Sequence, residues 1–445
     1  MKKHILVFSA LVALLLPAAA QPLRGSYFLE NALLRSRLNP AFAPQDNYIS
    51  VPIAGYAGAE VLSNVGLGHF LFPSGDTTCT FMNDAVRADS FLNQLPEEDP
   101  YAKFRIETDL LGGGYRLNDR LYLSAGLSVV QTGEVRIAKE LLRFAKTGRS
   151  GAQQSWSIPD SELELSRFVT LSAAASYDLG RWIPGLQVGG RLKLMTGLKA
   201  ASGSLNSARI QMNDDLFAVD ARGDAFLAGY TYDPEEGFQS DRFGLRGFGA
   251  AVDAGAEYRI RFNSFVSSLH LSASVSNLGG LSFGQSDRLS AGGSARFSGF
   301  GDMGAEGFDF QESLQTVLDD FSSLADFRQA GSERFPFALS PEYFAGLEVT
   351  VLQEMLGAGL LYNRAAGFNN LTVSLNAAPL RWLDFSIGYT FLGAADRFGF
   401  YADCTPWRHL NLFFGFEKAA WKTNNRMLGI KNLTESAVFG LNVLL

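Results

Sequence analysis

The sequence predicts an all-β protein, a closed antiparallel transmembrane β-barrel. Three observations predict it: apolar and polar residues alternate with a period of two from Arg120 onward, only 19% of the residues are charged, and 46 of the 445 are glycine. Globular proteins average about 25% charged residues and about 7% glycine. The net charge of -7 argues against binding to nucleic acid, because polyanion-binding proteins carry basic surfaces.

The first twenty residues have the pattern of a secretory signal peptide. Lys2 and Lys3 precede an apolar stretch over residues 5–16, and small residues follow up to Ala20. This stretch is shorter than the roughly 20 residues that a spanning helix needs. We therefore expect an exported protein that is cleaved near Ala20, with residues 1–20 removed.

Residues 21–47 form an apolar segment ahead of the first predicted strand. Phe28, Leu29 and Leu33 have helical spacing, and Pro40 is expected to end that helix. An apolar segment is costly to leave in water. We expect it to fold into the barrel interior as a plug, with the barrel itself covering residues 48–445.

The alternation recurs in segments long enough to cross a bilayer. Residues 121–129, 162–177, 248–262 and 383–391 place apolar residues on one face and mostly Ser, Gly and Thr on the other. Several of these segments reach the 9 to 11 residues that a tilted membrane strand needs. A soluble exported β-sandwich alternates in the same way, but its strands are usually shorter.

Short and long connections alternate along the chain, as in outer-membrane barrels. With residues 48–56 as the first strand, we predict about 14 strands, within a range of 12 to 16. The predicted periplasmic turns are residues 117–120, 181–185, 261–264, 353–354, 379–382 and 405–408, and the predicted longer loops are 133–161, 231–242, 284–336 and 418–433.

Three segments of the long connections have helical spacing, at residues 81–95, 134–146 and 308–327. The turn count places these short helices in extracellular loops. They either pack on the barrel rim or form a gate or a partner-binding surface.

The residues Leu38-Asn39-Pro40-Ala41 resemble the superfamily of long-chain fatty-acid transporters and related outer-membrane barrels. Residues 26–44 and 247–260 more closely resemble a Bacteroidota-type outer-membrane family without an assigned function. The resemblance implies that Asn39, Pro40 and Ala41 belong to a luminal hatch. Two features depart from the pattern: the chain ends in Leu445 rather than an aromatic residue, and no fatty-acid-binding residue aligns.

Strand parity predicts a set of charged and polar side chains that line the lumen. Either they form a structural ladder that fills and hydrates the barrel, or Arg191 and Lys193 attract a carboxylate or another anionic head group. The candidates are Arg191, Lys193, Lys199, Asp253, Glu257, Arg259 and His270.

No catalytic arrangement is recognisable, so we predict that the protein is not an enzyme and has neither cofactor nor metal. Without the signal peptide only His69, His270 and His409 remain, and none has a catalytic spacing. Cys79 and Cys404 fall on opposite sides of the predicted barrel, so we expect free thiols.

The resemblance implies passive uptake of a small hydrophobic or amphipathic molecule across the outer membrane. Because related barrels also serve protein secretion and attachment, the alternative is a non-transporting barrel that binds a partner protein at its extracellular loops. An apolar path beside the hatch that opens through a kinked strand would favour transport. A fully packed lumen would favour the partner-binding role.

Overall fold

The fold is a single large antiparallel sheet that closes into a ring around the N-terminal part of the chain. The computed structural model describes residues 24–33, 35–74, 77–147, 155–213, 216–233, 237–240, 244–297, 328–391, 396–419 and 435–445. The predicted signal peptide and the predicted helix over residues 308–327 lie outside these ranges.

Twenty-two strands account for most of the described chain. They are β1 (Tyr48–Ser50), β2 (Ala57–Ser63), β3 (Leu71–Ser74), β4 (Thr77–Thr80), β5 (Tyr101–Asn118), β6 (Leu121–Arg136), β7 (Ser155–Ile158), β8 (Ser161–Asp178), β9 (Leu186–Asn213), β10 (Leu216–Ala228), β11 (Tyr230–Asp233), β12 (Gly237–Ser240), β13 (Gly247–Arg261), β14 (Val266–Phe297), β15 (Arg328–Ala338), β16 (Glu342–Val351), β17 (Leu356–Ala365), β18 (Phe368–Leu380), β19 (Leu383–Phe391), β20 (Arg397–Trp407), β21 (Leu410–Ala419) and β22 (Glu435–Leu444).

Eighteen of these strands form the ring, and the hairpins β3–β4 and β11–β12 stand apart from it. The ring closes where β22 pairs with both β1 and β2, which in turn pair with β5. At four places around the ring, two strands lie end to end and pair with the same neighbouring strand, so that they share one position in the ring. These pairs are β1 and β2, β7 and β8, β10 and β13, and β15 and β16. The described strands therefore occupy fourteen positions. The predictions of an all-β antiparallel fold and of 12 to 16 strands are confirmed.

The two rims of the ring differ in their connections. At one rim, here called the short-turn rim, consecutive strands are joined by 119–120, 179–185, 262–265, 352–355, 381–382 and 408–409. At the opposite rim, here called the loop rim, the described connections range from the two-residue turn 366–367 to the long connection 64–100. The strand reversals of the short-turn rim fall at the turns that the sequence predicts.

Two of the predicted long loops are shorter than expected because strands continue into them. Strand β14 extends to Phe297 and β15 begins at Arg328, so much of residues 284–336 is paired sheet. Residues 231–242 lie largely in the β11–β12 hairpin, which interrupts one ring position instead of joining two neighbours. The prediction of one continuous first strand over residues 48–56 is also wrong. A turn over residues 52–55, with Ile53 at φ 68°, divides that position into β1 and β2.

The described helices are short and lie in the N-terminal part of the chain inside the ring or at the loop rim. They are a 3-10 turn (Arg24–Ser26), α1 (Arg35–Leu38), α2 (Leu67–Phe70), α3 (Ala88–Leu92) and α4 (Lys139–Thr147). The helices predicted over residues 81–95 and 134–146 shorten to α3 and α4, because turns precede α3 and β6 continues to Arg136. Among the described residues, no helix combines the length and the apolar character needed to cross a membrane.

Each ring strand turns one face inward and one face outward, as its alternation requires. In β6 and β8, Ser128 and Thr170 are buried and face each other across the strands. Residues of the opposite parity on the same strands, such as Leu123 and Leu171, are exposed on the outer surface. Large apolar side chains thus lie outside and polar side chains inside, the reverse of a water-soluble sandwich.

Candidate functional site

The candidate site is the interior of the ring, which is filled by residues 24–47, here called the inner segment. Its apolar side chains pack on the inward faces of strands from several sides of the ring. Tyr27 is fully buried, stacks on Phe344 of β16 at 5.9 Å between ring centroids, and makes edge contacts with Phe28 and Phe42. Leu29 and Ala32 pack with Tyr56, Tyr401 and Phe413 on another side.

The predicted hatch residues Asn39, Pro40 and Ala41 lie against the inner faces of β8, β9, β13 and β14. The Asn39 amide donates to the carbonyl oxygens of Ala256 at 3.2 Å and Ala273 at 3.3 Å. Its own Oδ1 accepts from the backbone N–H of Ala41, so the side chain also fixes the local turn. The carbonyl of Ala41 accepts from Ser176 at 2.8 Å.

Two glycines of the wall make this close approach possible. A Cβ on Gly255 would lie 2.0 Å from Asn39 Oδ1, and a Cβ on Gly189 would lie 2.1 Å from the carbonyl oxygen of Pro40. Real side chains do not tolerate such distances. The sheet therefore carries a glycine-lined recess that fits the turn at Asn39 and Pro40.

Three arginines of the inner segment form ion pairs with different parts of the ring. Arg24 pairs with Glu417 at 2.7 Å and Arg35 pairs with Glu257 at 3.3 Å. Arg37 contacts both Glu107, at 2.8 Å, and Asp109. Because these charges are largely removed from water, each needs its partner, and losing one partner would leave a buried charge uncompensated.

The inner segment also contributes a carboxylate, Glu30, which pairs with Arg259 of β13. Burial alone would raise the pKa of Glu30, but Arg259, Arg35 and His270 outweigh it and lower the pKa below its ordinary value. Burial likewise opposes the charge on Arg37, but the carboxylates of Asp109 and Glu107 raise its pKa above the ordinary value. Both groups of the inner segment are therefore held in their charged forms.

Of the sequence-predicted lumen residues, Arg191, Lys193 and Asp253 lie together. Asp253 is fully buried and pairs with Lys193 at 2.9 Å and Arg191 at 3.3 Å. Arg191 also donates to the carbonyl oxygens of Ser36 at 2.6 Å and Arg37 at 3.3 Å, which both lie within α1. These cations are thus tied to Asp253 and to the inner segment, which favours a holding role over capture of an anionic head group.

The other predicted residues, Glu257, Arg259 and His270, form a second cluster. His270 Nδ1 lies 3.8 Å from Glu257 and 3.5 Å from Glu348, and Nε2 lies 2.7 Å from the Ser268 hydroxyl. The cluster surrounds Arg35 and Glu30, so it is built jointly by β13, β14, β16 and the inner segment.

Lys199 is the predicted lumen residue that the structure places elsewhere. The pairing of β8 with β9 shifts by one residue between Arg167 and Phe168, so Lys199 stands opposite the exposed Arg167. Its amino group contacts Ser240 of β12 and lies 5.1 Å from the Tyr230 ring. The β-bulge reverses the inward and outward parity beyond it, which strict counting along the strand cannot detect.

Several interior charges were missed by the sequence analysis. Charges on the ring strands could have been found from the alternation along each strand. The arginines of the inner segment could not, because that segment has no periodic pattern. They are Arg24, Arg35, Arg37, Glu30, Glu60, Glu107, Asp109, Glu348, Asp384, Arg397, Asp403 and Glu417.

Cavities lie on both sides of the inner segment. Towards the loop rim, cavities of about 230 Å³ and 110 Å³ share Arg105, Asn277 and Glu342 in their walls. Towards the short-turn rim, cavities of about 170 Å³ and 670 Å³ share Glu30 and Gln45. The inner segment therefore lies between two pairs of cavities within one ring.

The wall is irregular beside the loop-rim cavities. The β13–β14 pairing shifts between Val252 and Ala254, and Asn277 on β14 adopts φ 62°. Strand β14 also changes partner here, from β16 up to Ser276 to β15 from Gly280 onward. The Asn277 backbone N–H is satisfied instead by the Asp253 carboxylate at 2.8 Å.

Neither cysteine is in a disulfide, and within the described ranges no group of three His, Cys, Asp or Glu side chains is placed to hold a metal ion. Cys79 lies in β4 and Cys404 in β20.

Residues 40–417 match the family of unknown function DUF5723. The chain belongs to this family. The match begins at Pro40, inside the inner segment, and includes β1 to β20 and most of β21. In this DUF5723 chain, Asn39 and the closing strand β22 lie outside the matched region. The match agrees with the expectation of a family without an assigned function. No curated protein matches the chain.

Three solved structures of bacterial proteins illustrate what the chain is similar to in shape. A FadL homologue of Pseudomonas aeruginosa has 11% identity and a TM-score of 0.41, and 94% of this chain and 95% of that chain are covered. The toluene transporter TodX of P. putida has 11% identity and a TM-score of 0.40, covering 91% of each chain. The translocator domain of autotransporter NalP from Neisseria meningitidis has 8% identity and a TM-score of 0.34, covering 95% and 99%.

Proposed function

We propose that the protein is a β-barrel of the bacterial outer membrane, formed by residues 48–445 after export. The observation that supports this is the inverted distribution of side chains on the ring. Apolar residues such as Leu194, Phe248 and Leu375 are exposed around the outer surface, while charged groups such as Asp253 and Glu348 are buried inside. So extensive an apolar surface is costly in water and is satisfied by lipid.

Residues 21–47 are the plug of this barrel, and their displacement admits a small molecule. The observation that carries this step is that the inner segment lies between two pairs of cavities while ion pairs and hydrogen bonds hold it in place. Contacts of this kind can be exchanged for water or ligand without breaking a covalent bond. The barrel binds and passes its substrate and catalyses no reaction.

An amphipathic substrate fits this interior better than a purely hydrophobic one. The loop-rim cavities combine Arg105, Glu60 and Glu342 with Phe104, Phe337 and Leu339. A molecule with a polar head and an apolar body would satisfy both kinds of wall. The irregular pairing of β14 at Asn277 lies directly beside these cavities and favours this part of the wall as the opening of a transporting barrel.

Conductance of the full chain in planar lipid bilayers tests the plug. The double variant Arg24→Ala/Arg35→Ala removes two anchors of the inner segment and is expected to conduct at least several-fold more than wild type. The control, Arg87→Ala/Arg381→Ala, removes the same charge from exposed positions and is expected to match wild type. Equal conductance of both variants would overturn gating by the inner segment.

A non-transporting barrel that binds a partner protein is the second candidate. Dense packing favours it, because Tyr27, Ala32 and Asn39 are fully buried and the inner segment fills the ring at its level. Mass spectrometry of the protein purified from outer membranes separates the two functions. A co-purified amphipathic small molecule that is lost on deletion of residues 23–38 supports uptake, whereas a stoichiometric protein partner without a ligand supports the alternative.

A further inference from the structure

The cavity of about 170 Å³ towards the short-turn rim has an unusual charge distribution. Its walls contain four carboxylates, Glu30, Glu348, Glu354 and Asp384, and none of the residues that line it is Lys, Arg or His. The loop-rim cavities, by contrast, contain both signs of charge.

Two of the four carboxylates are compensated from outside the cavity. Glu30 pairs with Arg259, and Glu354 lies 4.0 Å from the exposed Arg261. In the described part of the chain, neither Glu348 nor Asp384 has a Lys or Arg nitrogen within 4 Å. Glu348 accepts from the Asn376 amide at 2.7 Å and lies 3.5 Å from His270.

The carboxyl group of Asp384 also points to a ligand in this cavity. The residue is 97% buried at the start of β19, and its Oδ1 atom accepts no hydrogen bond within the described residues. Asn31 of the inner segment lies beside the same carboxyl group and does not satisfy that atom. A buried carboxylate oxygen without a donor is costly, so a donor supplied by a ligand would relieve the cost.

The remaining wall combines the polar side chains of Asn31, Gln45, Thr350 and Asn376 with an apolar part. Phe28 and Leu29 of the inner segment and Ala377 and Ala378 of β18 line the cavity. At about 30 Å³ per water molecule, 170 Å³ corresponds to five or six waters. This space suits an ammonium group with a short alkyl chain.

We propose that this cavity is a binding site for small amphipathic cations, and that a primary ammonium is bound by Asp384 and Glu348. The three N–H donors of the ammonium meet carboxylate oxygens, including Asp384 Oδ1, and the alkyl chain packs on Phe28 and Leu29. Because Phe28, Leu29 and Glu30 of the inner segment form part of its wall, the site is complete while that segment is in its packed position.

Ligand-detected NMR titration of the full chain in a non-ionic detergent tests the site, with butylammonium as the probe. Sodium butyrate and 1-butanol have the same chain length with the opposite charge and with none. We expect saturable binding of butylammonium to wild type, at least tenfold weaker binding to Asp384→Asn, and no saturable binding of butyrate or butanol. The control Glu333→Gln removes a carboxylate that is half exposed on β15 and is expected to bind within twofold of wild type.

A second variant keeps the test decisive if Asp384→Asn does not fold. Ala378→Phe fills the cavity and leaves both carboxylates in place, so it is expected to abolish saturable binding. The proposal is overturned if wild type does not bind butylammonium or if butyrate binds as well as butylammonium. It is also overturned if every cavity variant that folds binds butylammonium as wild type does. If wild type binds butylammonium but the Arg24→Ala/Arg35→Ala variant conducts like wild type, the cation site is retained and gating by the inner segment is rejected.

Discussion

The inner and outer faces of the same strands follow opposite rules of stabilisation. On β9, Arg191 and Lys193 point inward to Asp253 and the inner segment, while the intervening Leu192 and Leu194 are exposed on the outer surface. Inside, stability depends on specific partners at specific distances. Outside, in the proposed barrel, it depends on apolar area in contact with lipid.

Because of this difference, substitutions on the two faces are expected to destabilise the protein for different reasons. An inward charge is tolerated because another charge compensates it, so removing either member is harmful. An outward position needs no partner but excludes charge, so the identity of the apolar residue matters little.

The largest effect is expected from Arg35→Ala, which leaves Glu257 buried without its partner in the inner segment. We expect a loss of about 3 to 5 kcal/mol in the free energy of unfolding, measured by denaturant titration of the protein in lipid vesicles. Arg87→Ala, at an ion pair that is 82% exposed, is the control and should change little. A loss below 1 kcal/mol for Arg35→Ala would contradict the role of specific pairing inside the ring.

The next largest effect is expected on the outer face. Leu194→Arg places a charge on the exposed outer surface, which meets the hydrocarbon layer in the proposed barrel, and we expect a loss of about 2 to 4 kcal/mol in the same vesicle assay. Leu194→Ile keeps the apolar surface and serves as the matched control. An unchanged stability of Leu194→Arg would mean that this face is in water, which would break the comparison of the two faces.

A smaller effect is expected at the glycine recess. Gly255→Ala brings a methyl group into Asn39 Oδ1 and should cost about 1 to 3 kcal/mol of unfolding free energy. Gly203→Ala on β9 has open space around its Cβ and should be neutral or slightly stabilising. Equal effects of the two substitutions would indicate that Asn39 does not pack against β13.

The smallest effect concerns the pH dependence of the Glu30 contact. Because the pKa of Glu30 is lowered in the folded protein, its contribution is fully present above its ordinary pKa of 4.5 and is lost as the pH falls through the lower folded value. The stability difference between wild type and Glu30→Gln should therefore be constant from pH 7 to pH 5 and shrink below pH 4.5. A difference that grows on acidification would reverse the assigned sign.

The ring was predictable because alternation is a local property of each strand. Segments such as 162–177 and 248–262 coincide closely with β8 and β13, and the short turns fall where the sequence predicts them. The helices at the loop rim were predicted too long, since helical spacing does not report competing turns or strand extension. Parity along the strands predicted inward side chains for Arg191, Lys193 and Asp253, and the structure brings these three together. It also predicted an inward side chain for Lys199, which is wrong because the β-bulge in the β8–β9 pairing precedes Lys199 on β9.

The sequence by itself determined the two-faced strands, their antiparallel order and the inward direction of most wall charges, since side-chain direction along a strand alternates residue by residue. The tertiary structure decided which charges meet. Arg24 pairs with Glu417 and Arg35 with Glu257 across hundreds of residues, and Asp384 is left beside a cavity with an unsatisfied oxygen. Pairing across a ring depends on register, bulges and the path of the inner segment, and no local pattern encodes these distances.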